Sequence, residues 1–309
     1  MLESWSDVTR AWEAWVLCGI LAGLIPFHGV LAYGRLKSAP DPIPTRTKLR
    51  LYATIVVMEW ALVAVTVAIA HRHGLTLADL GQTLANWRLT LAATTLAFLG
   101  LLLLTAFNAR QVRRATREDL EATVERARKF VPVGSTEIGA FAFVALTAGI
   151  CEEILYRGWL VNFLGAVIGS IWIGVIVAAI LFGIGHAYQG RQGILATGFL
   201  GLVFGGMFVL LKSLVPGQAL HAGIDLVNGV LAGRIVKRLE REPRPSAAAE
   251  QEARPAAAEQ EARPAAEPEL SGADPEAREG AADHEAREAA PDSGPGPTSA
   301  SPSRSDPPA

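Results

Sequence analysis

Apolar residues gather into seven stretches, at about 14–33, 51–70, 89–107, 138–165, 171–187, 193–211 and 217–236. A helix needs roughly 20 such residues to cross about 30 Å of hydrocarbon, and in lipid every backbone polar group must be satisfied internally. The pattern therefore predicts an all-α fold, a polytopic transmembrane helix bundle of about seven spans, within a range of six to eight. Trp5, Trp12 and Trp15 precede or open the first stretch and are expected at the membrane interface. His28 and Glu59 lie inside spans and are read as buried structural polar residues.

Beyond the last stretch the pattern stops. From Arg241 to Ala309 there is no Phe, Trp, Tyr, Ile, Val or Met, and 12 of the 18 prolines fall there. The tail carries 15 Asp and Glu against 7 Arg, a net of −8, so residues 1–240 are about +6 out of a total of −2. A nine-residue unit, AAAEQEARP, occurs twice in tandem at 247–264, which is too short and too few for a stacked repeat. So little apolar surface cannot offset the entropy of ordering, and a disordered C-terminal tail is expected. The organisation read from these shifts is 1–137, three N-terminal spans and a basic segment; 138–236, four spans; and 237–309, the acidic Ala/Glu/Pro-rich tail.

Charge also orients the chain. Five Lys and Arg fall in 34–50, seven in 108–137 and four more at the end of the last span (Arg234, Lys237, Arg238, Arg241), whereas 71–88 holds only Arg72 and Arg88. The positive-inside rule then places the N-terminus outside and the tail in the cytoplasm. The opening residues lack the basic start and small-residue cleavage site of a signal peptide. Cys18 and Cys151 both lie in spans and suggest no disulfide framework.

Ionisable residues inside spans are costly and usually face the bundle interior. The segment GICEEILYRGWL holds Glu152, Glu153 and Arg157. Glu153 and Arg157 are four apart and so share a helix face, where pairing lowers the cost of burying both. Glu152 points elsewhere and is left available. His186 follows Glu152 by 34 residues, with the midpoint at Ile168–Ser170, a hairpin position that would bring the two to similar depth. His221 and Asp225 are again four apart, with Asn228 further along the same side, but His221 stands close to the start of its span and looks shallower than Glu152. Cys151 reads as a small packing residue. No HExxH or GxSxG motif occurs, and HEARE at 284–288 lacks the second histidine.

Read in order, Glu152-Glu153-Ile-Leu-Tyr-Arg157, Phe182-Gly-Ile-Gly-His186 and His221-Ala-Gly-Ile-Asp225 resemble the motifs of the CPBP family of intramembrane endopeptidases, also called the CAAX protease or Abi family. The resemblance covers about 138–236. It implies peptide-bond hydrolysis at the membrane, with Glu152, Glu153, Arg157, His186, His221 and Asp225 as catalytic residues and Phe182 and Asn228 in support. Glu152 would be the base that activates water, His186 would hold that water, and His221 with Asp225 or Asn228 would stabilise the oxyanion. Position 225 is Asn in many members, and an ionised Asp accepts hydrogen bonds without donating them.

The resemblance leaves two chemistries open: zinc held by Glu152, His186 and His221, as in a metalloprotease, or metal-independent glutamate catalysis. It implies a membrane protein or peptide as substrate and the lipid bilayer as surroundings, with no nucleic acid. The Ala/Arg/Pro-rich composition suggests a bacterial plasma membrane. A non-catalytic membrane immunity or scaffold protein of the same family is the alternative function.

Overall fold

The computed structural model describes residues 3–39, 41–84, 86–125 and 127–241. The first five residues of the expected disordered tail, 237–241, are helical, and the rest of it, with its tandem repeat, lies outside the described residues. The main helices in chain order are α1 (Trp12–Ser38), α2 (Thr45–Arg72), α3 (Trp87–Arg114), α4 (Arg117–Val124), α5 (Ser135–Ile168), α6 (Ile171–Gly185), α7 (Gly190–Leu211) and α8 (Val215–Arg241). All seven apolar stretches are helical. Six are long and apolar enough to cross a membrane, and α6 is shorter, at 15 residues. No strand occurs among the described residues. The chain is an integral membrane protein of all-helical build.

Local chemistry explains several helix features. α1 widens into i→i+5 bonding at Ile20–Leu24, just ahead of Pro26. Proline lacks an N–H and crowds the preceding turn, and a wide turn is one way to absorb both. α5 ends in the left-handed Gly169 (φ 82°) and Ser170 opens α6 in extended conformation, so the hairpin falls where the sequence places it. Small residues let the hairpin close tightly: a Cβ on Gly174 would meet the Val161 carbonyl at 2.5 Å. α4 is short and amphipathic, opened by a capping box between Thr116 and Asp119. It turns Leu120 and Val124 onto Ile235, Val236 and Leu239 of α8.

Two expectations about burial need correction. Trp5 is fully buried and meets Trp159 edge to face at 5.3 Å, while Trp12 and Trp15 are exposed. The short turn at Glu3–Trp5 tucks the indole into the core instead of leaving it at the lipid surface. His28 is exposed: it stands seven residues after the buried Leu21, but the wide turn at Ile20–Leu24 shifts the helical phase, and beyond it Pro26 is the buried position, with His28 about 200° around the helix from it.

The connection between α2 and α3 is not a surface loop throughout. Leu75 and Leu80 are buried, and Gly81 (φ 83°) offers its carbonyl to the Leu214 amide at 2.9 Å. Ser213 donates to the Thr83 carbonyl at 2.7 Å. Both Ser213 and Leu214 are buried, so α8 begins inside the protein.

At the other end, the three basic loops meet. Lys129 bonds the carbonyls of Lys37 and Ala39, and Arg128 pairs with Asp41 at 3.4 Å. Arg238 reaches the Val112 carbonyl and Arg117 the Leu239 carbonyl. Deeper in, Lys48 of α2 bonds Glu137 of α5 and the Val131 carbonyl, both at 3.1 Å. Glu137 also accepts from Thr45 at 2.6 Å and from the Val133 amide at 2.9 Å. Removing one member of a buried pair strands the other's charge. Lys48→Met is expected to lower unfolding free energy by about 3 kcal/mol, with Lys48→Met/Glu137→Leu recovering much of the loss in thermal unfolding in detergent.

Candidate active site

α5 changes character at the polar segment. It is an ordinary α-helix to Glu152, and from Glu153 to Val161 it adopts the wide i→i+5 form. All nine residues of that wide segment are buried. Wide turns of this kind are rare and concentrate at functional sites. The sequence carries no signal for it, because the apolar run around it suits either winding.

Within it the expected ion pair forms. Arg157 Nη1 donates to Glu153 Oε1 at 2.9 Å, and the side chains are 2 % and 1 % exposed. The guanidinium also lies 4.2 Å from the ring centre of Phe182 on α6 and 5.3 Å from that of Phe204 on α7. Ring faces attract a desolvated cation. Phe204 escapes the sequence reading. Its signal was an aromatic set among glycines, in Gly201-Leu-Val-Phe204-Gly-Gly.

His221 occupies the space beside both glutamates. Its Nδ1 donates to Glu153 Oε1 at 3.0 Å, so one carboxylate oxygen serves the arginine and the histidine together. Its Nε2 faces Glu152 Oε2 and Asp225 Oδ2, each at 3.7 Å. Phe182 and Phe204 flank the imidazole at 6.0 and 5.6 Å between ring centres. Glu152 Oε2 is buried without a hydrogen-bond partner, whereas Asp225 is more open.

The mismatch in depth between His221 and Glu152 is resolved by the sunken start of α8. Because Leu214 is bonded to Gly81 inside the bundle, a residue two turns into α8 reaches the middle of α5 with α8 unbroken. Gly149 allows the approach: a Cβ there would meet the Ala222 amide nitrogen at 2.7 Å and the Gln218 carbonyl at 2.8 Å.

Two predicted residues stand apart from this knot. His186 ends α6, and its Nδ1 donates to the Phe182 carbonyl at 2.9 Å. It touches the cluster through the Phe182 ring, 4.7 Å away, and leaves Nε2 as an acceptor. Asn228 does not join: it is exposed, although the two-turn spacing from His221 suggested a shared side. Cys151 is fully buried in the core, as a packing residue should be.

Glu152, His186 and His221, the three candidate zinc ligands, do not converge on one point among the described residues. No three His, Cys, Asp or Glu side chains converge to hold a metal among the described residues. Nδ1 of His221 is bonded to Glu153 and Nδ1 of His186 to the Phe182 carbonyl, so Nε2 is the ring nitrogen that each would offer a metal.

Residues 134–227 match a family model described as Type II CAAX prenyl endopeptidase Rce1-like. No curated protein and no solved structure matches the chain.

The contacts separate the adjacent glutamates by role. Glu153→Ala strands Arg157 and is expected to cost about 3–5 kcal/mol of stability. Glu152→Gln breaks no hydrogen bond at Oε2 and is expected to stay within about 0.5 kcal/mol of the parent. Unfolding midpoints of the two variants in detergent check both.

Proposed function

We propose that this chain, whose residues 134–227 match the Rce1-like endopeptidase model, is an intramembrane endopeptidase of the CPBP/CAAX protease family whose base is Glu152. The observation that carries the reading is His221 fixed by Glu153 on Nδ1, with Nε2 aimed between Asp225 and the unpartnered oxygen of Glu152. A carboxylate with a free, buried oxygen beside an oriented imidazole is what peptide hydrolysis asks for.

In this reading Glu152 takes a proton from water, and the water oxygen attacks the scissile carbonyl carbon. The carbonyl oxygen becomes an oxyanion and accepts from Nε2–H of protonated His221. The C–N bond then breaks, and the proton held by Glu152 passes to the leaving nitrogen. Asp225 supports the imidazolium and, being an acceptor when ionised, donates nothing. His186 keeps Nε2 free to accept from the attacking water. Arg157 keeps Glu153 ionised and so holds the imidazole in place.

The meeting of the basic loops at one end supports an orientation with that end in the cytoplasm, and so an outward N-terminus in a bacterial plasma membrane. The substrate class is a membrane-associated peptide or protein tail.

The test is cleavage by purified protein of membrane proteins and of an internally quenched peptide carrying a farnesylated cysteine. Glu152→Gln and His221→Ala are each expected to lower kcat/KM at least 10²-fold, within the range typical of acid–base groups, while inserting normally. Full activity in either variant sinks the assignment. Exhaustive chelation is expected to leave the rate unchanged, and loss rescued by zinc alone reverses that part of the reading.

A further inference from the structure

Glu59 lies on α2, N-terminal to the family match at 134–227. α2 buries Tyr52, Glu59, Val63, Thr66 and Ala70, at intervals of 7, 4, 3 and 4 residues. These spacings mark one helical stripe, so Glu59 stands where the pattern asks for an apolar side chain. It is 14 residues from the start of α2 and 13 from its end, and Glu152 is 17 and 16 residues from the ends of α5. Both carboxyls are therefore at mid-span, on helices packed against each other.

Buried structural carboxylates in this protein are each tied to a basic side chain. Glu137 is held by Thr45, Lys48 and the Val133 amide, and Glu153 by Arg157 and His221. Glu59 differs: it is 8 % exposed, and its Oε2 has no hydrogen-bond partner. Among the described residues Glu152 is the other carboxylate with a buried, unpartnered oxygen. Glu59 lies within electrostatic reach of Glu152, His221 and Asp225, and of Cys151 and Tyr156 beside them. An unpartnered carboxyl at this depth is expensive, and such residues mark function.

We propose that Glu59 is a substrate-binding residue of this site, whose open carboxyl oxygen accepts a hydrogen bond from a backbone N–H of the peptide lying beside Glu152. This rests on the proteolytic reading above. A peptide drawn into a membrane protein must have its own N–H groups satisfied, because the lipid offers no acceptor. Arg157 and His221 are donors, Glu152 and His186 are committed to water, and Asp225 is committed to the imidazolium of His221. Glu59 supplies a further acceptor, from outside the segment that carries the family motifs.

The experiment compares the full-length protein with Glu59→Leu and Glu59→Gln in detergent, by thermal unfolding and by KM and kcat on the quenched farnesyl-cysteine peptide. In Glu59→Leu, KM is expected to rise about tenfold with a much smaller change in kcat, the signature of lost binding. The same variant should melt higher, because an unpaired buried carboxyl has been replaced by an apolar side chain. Glu59→Gln keeps a carbonyl acceptor and should recover most of the KM loss. An unchanged KM in Glu59→Leu, or a lowered melting point, overturns the inference. If the parent protein cleaves nothing, the proteolytic reading fails, and the melting shift alone decides whether Glu59 is held at a cost to stability.

Discussion

Arg157 is 2 % exposed, and burying its charge is tolerable only because Glu153 lies four residues back and two aromatic rings close over the guanidinium. Those requirements propagate outward. Glu153 must stay ionised and stationary, and a stationary carboxylate can hold the Nδ1 proton of His221 as well. With Nδ1 fixed, the direction of Nε2 is fixed too, toward Glu152 and Asp225. α6 and α7 are drawn in to deliver Phe182 and Phe204, and α8 to deliver His221. The arrangement of four helices thus follows from neutralising one cation away from water.

What could be read from the chain differs by the kind of force involved. Span positions were legible because the bilayer sets a length and excludes charge, and all seven apolar stretches are helices. The Glu153–Arg157 pair was legible because it depends on local spacing alone, and the hairpin because Gly169 supplies a conformation that other residues resist. Contacts between distant segments were not. Nothing in the apolar alternation announces that Trp5 packs on Trp159, that Phe204 covers Arg157, or that Asn228 turns away. The wide winding of Glu153–Val161 was hidden for a related reason: it depends on what surrounds α5.

The depth of His221 is the most instructive case. Counting from the start of α8 makes it shallow, and the count assumes that spans begin at the membrane surface. Here the start is a buried turn bonded to the loop after α2. The family motifs lie within 134–227, but the support that sets their depth comes from residues 81 and 83, and the Trp5 plug from further still. Family resemblance singles out the motif residues, and the rest of the chain sets their positions.

That sunken turn has a bearing on biogenesis. The loop bearing Gly81 is synthesised some 130 residues before Ser213 and Leu214, and α5 enters the bilayer while α8 is still unmade. Glu153 and Arg157 can neutralise each other within α5 during that interval, so the helix needs no later partner to be inserted. Glu152 has no imidazole beside it until α8 slides in and its first turn docks on the waiting loop. A nascent chain therefore lacks this constellation through most of its translation, and the proposed reaction centre comes into being in the same step that completes the bundle.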